Sequence, residues 1–202
     1  MARKVLVLGY GNFDRQDDGV SWHVLEIISH QLKIPITGVG IELSDPIDEH
    51  YPVANRQLDN GSMPELQNID RSSISLEFSL QLMPEMAEEI SGYDRLFFVD
   101  AHTGDKTEEI QLTQLKTDYQ TSSFTHHLTP ESLLAISKAL YHKSPQGYLL
   151  SIHGYEFGFS NELSGKTLEL VQIAGDRLIS WLINEQSLPV IIPGDDNRQI
   201  AE

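Results

Sequence analysis

The sequence predicts a three-layer α/β domain (αβα) with a mostly parallel, doubly wound sheet. Three observations carry that expectation. Residues 3–9 and 95–100 are apolar runs of strand length without polar alternation, as in strands buried on both faces. Segments of helical periodicity alternate with strand segments along nearly the whole chain, which calls for parallel crossovers. The first strand also feeds a Gly9-Tyr10-Gly11-Asn12 turn, and seven residues after Gly11 an amphipathic helix opens.

Taken in order, the strand at 3–9 precedes a helix from Asp18 with Val20, Val24, Ile27, Ile28 and Leu32 on one face. Residues 73–80 alternate at period two and read as a strand. A short helix at 84–91 has Pro84 in its first turn, where a missing N–H costs nothing. The strand at 95–100 ends on Asp100, and residues 108–114 read as an edge strand. Thr129-Pro130-Glu131 opens a helix with Leu133, Leu134, Ile136 and Leu140 inward. Residues 147–153 give a further strand. The last helix, over 164–184, carries Thr167, Leu170, Val171, Ala174, Leu178, Trp181 and Leu182 at helical spacing. These elements make one domain over residues 1–186. Residues 34–72, rich in Pro, Gly, Asn and Asp, are long for an unstructured connection and imply a small strand or an inserted excursion. Residues 187–202 read as a disordered tail.

Composition excludes several functions. The chain of 202 residues carries a formal charge of −16, which opposes sequence-independent binding to nucleic acid or to an anionic membrane. It has no cysteine, hence no disulfide framework, thiolate nucleophile or Cys-ligated zinc. No apolar stretch approaches the roughly 20 residues that span a bilayer, and the first strand begins without a signal-peptide core. The expectation is a soluble cytoplasmic protein.

The first turn does not have the chemistry of a nucleotide loop. A dinucleotide fingerprint needs a third glycine at the helix start, and Asp14 stands there, followed by Asp17 and Asp18. Three carboxylates repel a phosphate and attract a cation. Ligands of open α/β sheets bind at the carboxyl ends of strands. Asp17 and Asp18 after the first strand, Asp100 closing a later one, and the pair His126-His127 before the helix at 129 all fall there. Two carboxylates and an imidazole suit Zn²⁺ or Ni²⁺ with positions left open. Blander roles compete: an Asp at a helix start is commonly a cap, and histidines in a Ser/Thr-rich loop are commonly solvated. His102 and His153 lie near strand ends as weaker candidates, and His23, His30, His50 and His142 read as helix-face or loop residues. Ser122, Ser123 and Thr125 beside the histidines do not make a triad, since no Gly-x-Ser-x-Gly elbow occurs.

Five segments, in order, resemble the hydrogenase maturation proteases. They are Leu8-Gly-Tyr-Gly-Asn with Arg15-x-Asp17-Asp18-Gly19-Val20; Gln81-Leu-Met-Pro84-Glu85-Met-Ala87-Glu88; Phe98-Val-Asp100-Ala101; Thr125-His126-His-Leu-Thr-Pro130; and Tyr148-Leu-Leu-Ser151-Ile-His-Gly154-Tyr-Glu156-Phe. The resemblance implies a phosphorylase/hydrolase-like α/β fold. It also implies an endopeptidase that removes the C-terminal extension of the [NiFe] hydrogenase large-subunit precursor once nickel is installed. The implied metal-contacting and catalytic trio is Asp18, Asp100 and His126; His127 is one residue out of register. Asp17 is expected to orient the trio or serve as an alternative base. Nickel arrives with the substrate and no permanent cofactor is expected, with Zn²⁺ or Cd²⁺ able to substitute in the isolated protein. The partner is the precursor, with neither nucleic acid nor membrane involved. Departures from the family pattern are Asp14, Ser21, Met83 and His153, and the stretch 34–72 does not align. Two rivals are a phosphoacceptor receiver-like domain, which lacks its lysine because His153-Gly154 stand in its place, and a non-catalytic metal-binding assembly factor.

Overall fold

The apolar run near the N-terminus forms β1, Val5–Tyr10, inside a seven-stranded sheet. The computed structural model describes residues 3–38, 70–104, 108–117, 128–184 and 190–191. A 3₁₀ turn over Gln16–Gly19 leads into α1, Val20–Leu32. There follow β2 (Ile36–Gly38), β3 (Ile74–Ser79), α2 (Met86–Ile90), β4 (Arg95–His102) and β5 (Ile110–Gln114). The chain continues through α3 (Pro130–Tyr141), β6 (Gln146–His153), α4 (Gly165–Asn184) and β7 (Val190–Ile191). The strand order is β2-β3-β1-β4-β6-β5-β7, with only the β5–β6 pairing antiparallel. The doubly wound three-layer expectation holds.

Successive β1 residues feed two different cores, which explains its lack of polar alternation. Val5 and Val7 join Phe97, Tyr148 and Trp181 beneath α1 and α4. Leu6 and Leu8 join Phe98, Leu96, Ile90 and Leu133 beneath α2 and α3. Each such side chain contributes about 1.5–3 kcal/mol by leaving water. Phe97 stacks on Tyr148 at 5.2 Å and meets Trp181 edge-on at 4.4 Å, so α4 is keyed to β4 and β6. The Thr129 hydroxyl oxygen accepts from Ser132 N at 3.2 Å and Pro130 fills the first position of α3, as its sequence signature predicts.

The departures are local. β3 alternates in sequence, yet Glu77 and Ser79 are buried beneath the α2 layer, because β3 lies between β2 and β1 with helices on both faces. β4 runs two residues past Asp100, to His102, paired with β6 alone there. β5 is not a free edge, since β7 pairs with it. Leu140, expected inward, is 65% exposed at the last turn of α3, beyond the reach of the sheet. Pro84 lies two residues before α2. A small strand does lie within residues 34–72, namely β2. Likewise β7 falls inside the stretch expected to be a tail. No helix among the described residues is long and apolar enough to cross a membrane.

Candidate active site

The sheet opens between β1 and β4. Their pairing ends at Gly9 with Val99. From there Tyr10 stays paired with Ser79 of β3, and Asp100 with Ser151 of β6. The two central strands therefore part at their carboxyl ends, with Tyr10 on one wall and Asp100 on the other. This is also where the winding reverses, with β3 and β2 built outward on one side and β6, β5 and β7 on the other. Such switch points are the ligand crevices of open α/β sheets.

The loop after β1 folds its acids onto this edge. Gly11 has φ +138°, and a Cβ there would lie 2.2 Å from the Asp18 carbonyl oxygen, so only glycine allows the turn to close. The Asp18 carboxylate accepts from Asn12 N at 3.2 Å and stays half-exposed. The 3₁₀ turn that carries it packs against β4, the strand of Asp100. Ser21, a departure from the family pattern, donates to the Tyr10 carbonyl at 2.8 Å and ties α1 to the end of β1.

Asp17 points the other way. It is 0% exposed and accepts from Tyr155 N (2.8 Å), Glu156 N (2.9 Å), Ser164 N (2.8 Å), Ser164 Oγ (2.7 Å) and Thr167 Oγ1 (2.7 Å). Burial pushes its carboxyl up, but the hydrogen bonds from Glu156, Ser164 and Thr167 outweigh burial and hold it below the ordinary 3.8. A Cβ on Gly154 would sit 3.0 Å from Asp17 Cβ, so the β6–α4 loop closes on this residue without room to spare. Asp17 is a buried clamp between the first loop and the loop after β6.

Asp100 lies across the crevice. Its Oδ1 accepts from Ala101 N at 2.8 Å, and the Tyr10 hydroxyl donates to its carboxylate. Burial drives the Tyr10 phenol well above its usual 10, reinforced by the charge and hydrogen bond of Asp100 and by the charge of Glu131 in the first turn of α3. Tyr10 is therefore a proton donor locked in its neutral form, facing a carboxylate across the crevice. Neither Tyr10 nor Glu131 was singled out by sequence reasoning. The only signal for Tyr10 was its place between the two glycines at the end of β1.

Further along the same edge, His102 is buried and meets His153 edge-on at 5.2 Å, and His153 stacks on Tyr155 at 4.4 Å. The Tyr155 hydroxyl donates to Glu109, and Lys166 Nζ sits 4.8 Å from the Tyr155 ring centroid. These weaker sequence candidates thus form an aromatic strip beside the crevice. His126 and His127, with Ser122, Ser123 and Thr125, lie outside the described residues, as does His50. Among the described residues no group of three His, Asp or Glu could hold a metal ion.

No protein-family model matches the chain, and no curated protein matches it in sequence. Solved structures match it nearly end to end. The [NiFe] hydrogenase maturation protease HycI from Thermococcus kodakarensis KOD1 superposes with a TM-score of 0.58 at 15% identity, over 90% of this chain and 92% of its own. The hydrogenase maturating endopeptidase HybD from E. coli gives 0.57 at 13% identity, over 91% and 94%. The fold is that of the hydrogenase maturation proteases. A third, the hydrogenase 2 maturation peptidase from a Thaumarchaeota archaeon, gives 0.52 at 17% identity over 89% and 98%. Since the maturation-protease fold accounts for almost all of both chains in each case, the likeness concerns the whole domain and not one βαβ unit.

Proposed function

We propose that this chain is an endopeptidase that removes the C-terminal extension of a nickel-loaded [NiFe] hydrogenase large-subunit precursor, acting in the cytoplasm. One observation carries the reading: in a maturation-protease fold, the turn bearing Asp18 packs against the strand bearing Asp100 at the switch-point crevice. Asp18, Asp100 and His126 contact the nickel that the substrate brings, so loading of the precursor licenses the cut. Two carboxylates facing an empty crevice gain nothing from an uncharged peptide, whereas a divalent ion neutralises both on docking. Nickel is thus cargo, and the enzyme needs no resident cofactor; Zn²⁺ or Cd²⁺ takes the same oxygen and nitrogen donors in the isolated protein. The absence of cysteine and of a serine elbow leaves water as the attacking group.

The test is processing of a purified precursor with and without nickel. Nickel-loaded precursor is cut without added metal and in the presence of serine- and cysteine-directed inhibitors, while nickel-free precursor remains whole. Efficient cutting of the nickel-free form would overturn the metal licence.

A further inference from the structure

Phe159 is 97% exposed, the largest exposure of a big apolar side chain among the described residues. Isolated exposed apolar residues are ordinary, but the backbone that carries this one is pinned on both sides. On its N-terminal side Gly158 N donates to Gln16 Oε1 at 2.6 Å. On its C-terminal side Gln16 N donates to the Ser160 carbonyl at 2.6 Å, and Ser160 N to the Asp14 carbonyl at 3.1 Å. Glu162 N is in turn bonded to Ser160 Oγ, and both stems of the loop converge on buried Asp17. Phe157, two residues earlier, turns its ring back against Gly154. The backbone on both sides of Phe159 is therefore pinned to residues 14–16, which lead directly to Asp18. Among the other exposed apolar residues, Leu140 and Tyr141 end α3 and Leu168 and Ile173 lie along α4, while Leu80 and Met83 follow β3 at the same sheet edge but are less exposed, at 53% and 41%.

We infer that Phe159 is a docking anchor for the substrate protein, an apolar knob presented by a hydrogen-bonded loop beside the Asp18 loop. This rests on the proposed protease function. The backbone that presents the ring is already ordered in the free protein, so binding has only the side-chain torsions of Phe159 to fix, a small cost for an aromatic anchor. The same two loops expose Asp14, Glu156 and Glu162 against a single arginine, Arg15. The partner that fits is a folded surface of the precursor offering an apolar pocket edged by basic groups, next to the segment that enters the crevice.

Steady-state processing of nickel-loaded precursor by wild type, Phe159→Ala and Phe159→Leu tests the anchor. Phe159→Ala raises KM on the order of ten-fold with the loss confined to KM, and Phe159→Leu restores most of it. The melting temperature stays at the wild-type value, because the ring packs on nothing. An unchanged KM in Phe159→Ala, with wild type active, overturns the anchor alone. A wild type that neither cuts nor binds the precursor overturns the protease reading and this inference with it.

Discussion

Asp17 and Asp18 are adjacent in sequence and sit in opposite surroundings. Asp17 lies in a closed pocket where backbone amides and two hydroxyls converge on it from a loop some 140–150 residues away. Asp18, with one amide from Asn12, remains half-exposed where β1 and β4 part. A carboxylate that has satisfied its lone pairs internally has nothing left for a metal, and its binding energy goes into holding two loops together. One that keeps open lone pairs at a sheet edge is costly to the isolated fold only to the extent that water is excluded, and is ready for a cation. On the proposed function the dipeptide separates stability from chemistry, and the Asp17 pocket fixes the loop that carries Asp18.

Substitution of each acid by its near-isosteric amide separates the two roles most strongly. Asp18→Asn and Asp100→Asn are expected to remove precursor processing while leaving the circular dichroism spectrum and melting temperature close to wild type. Asp17→Asn should act mainly on stability and leave a measurable fraction of the processing. An amide NH₂ placed among donors costs about 3–5 kcal/mol of stability, as does breaking a buried charged network. Once the reading is corrected for the folded fraction, activity falls about 10–100-fold, the loss seen when support of an active group is removed. The Asp17 contribution has a definite pH sign. Its folded pKa lies below 3.8, so the stabilisation is present above that value and is lost as pH falls through the folded pKa. An Asp18→Asn protein that unfolds, or an Asp17→Asn protein with wild-type stability, would collapse the contrast.

That contrast was only half legible in the sequence. Burial on two faces is written in the unbroken apolar runs of β1 and β4, and the alternation with helices dictated the parallel sheet. The acidic turn, by its lack of a third glycine, pointed to a cation. The sequence could not say which of two adjacent acids turned inward, because the partners of Asp17, Ser164 and Thr167, lie at the far end of the chain. A Ser-x-x-Thr pair at the start of a helix reads as a local cap, and Thr167 N to Ser164 Oγ at 3.4 Å is such a contact. The fold uses the same hydroxyls as donors to a distant carboxylate. β4 overran Asp100 because His102 is paired with His153 on β6, a tertiary fact absent from local propensity. Leu140 failed as a core residue because periodicity cannot tell where a helix outruns its sheet.

Glu77 gives a third kind of carboxylate, neither clamped nor offered to a ligand. Buried under the α2 layer at 9% exposure, it is pushed from 4.5 up to about 7 by desolvation, with the charge of Glu89 adding to the effect. The folded state holds its proton more tightly than the unfolded chain, so stability declines as pH rises from about 4.5 through about 7 and the penalty is complete above that. Glu77→Gln removes the ionisation and is expected to stabilise by about 2–3 kcal/mol at pH 8. The gain should vanish near pH 4. Urea midpoints at the two pH values decide this, and an equal effect at both would show that ionisation of Glu77 does not matter.

The smallest effect sharpens the comparison at the crevice itself. The partners of Asp100 include its own neighbour's amide and the Tyr10 hydroxyl. Tyr10→Phe keeps the ring, including its edge-on contact with Phe98 at 6.4 Å, and removes only the donor. A partly buried carboxylate that loses one hydroxyl can recover a water, so the expected cost is about 1 kcal/mol, well under that of Asp17→Asn. Because the two acids belong to different networks, Tyr10→Phe and Asp17→Asn should add within about 0.5 kcal/mol when combined. Denaturant unfolding of the single and double variants measures both quantities. A Tyr10→Phe loss as large as that of Asp17→Asn, or a strong coupling between them, would mean that the crevice is a structural pocket of the same kind as the clamp.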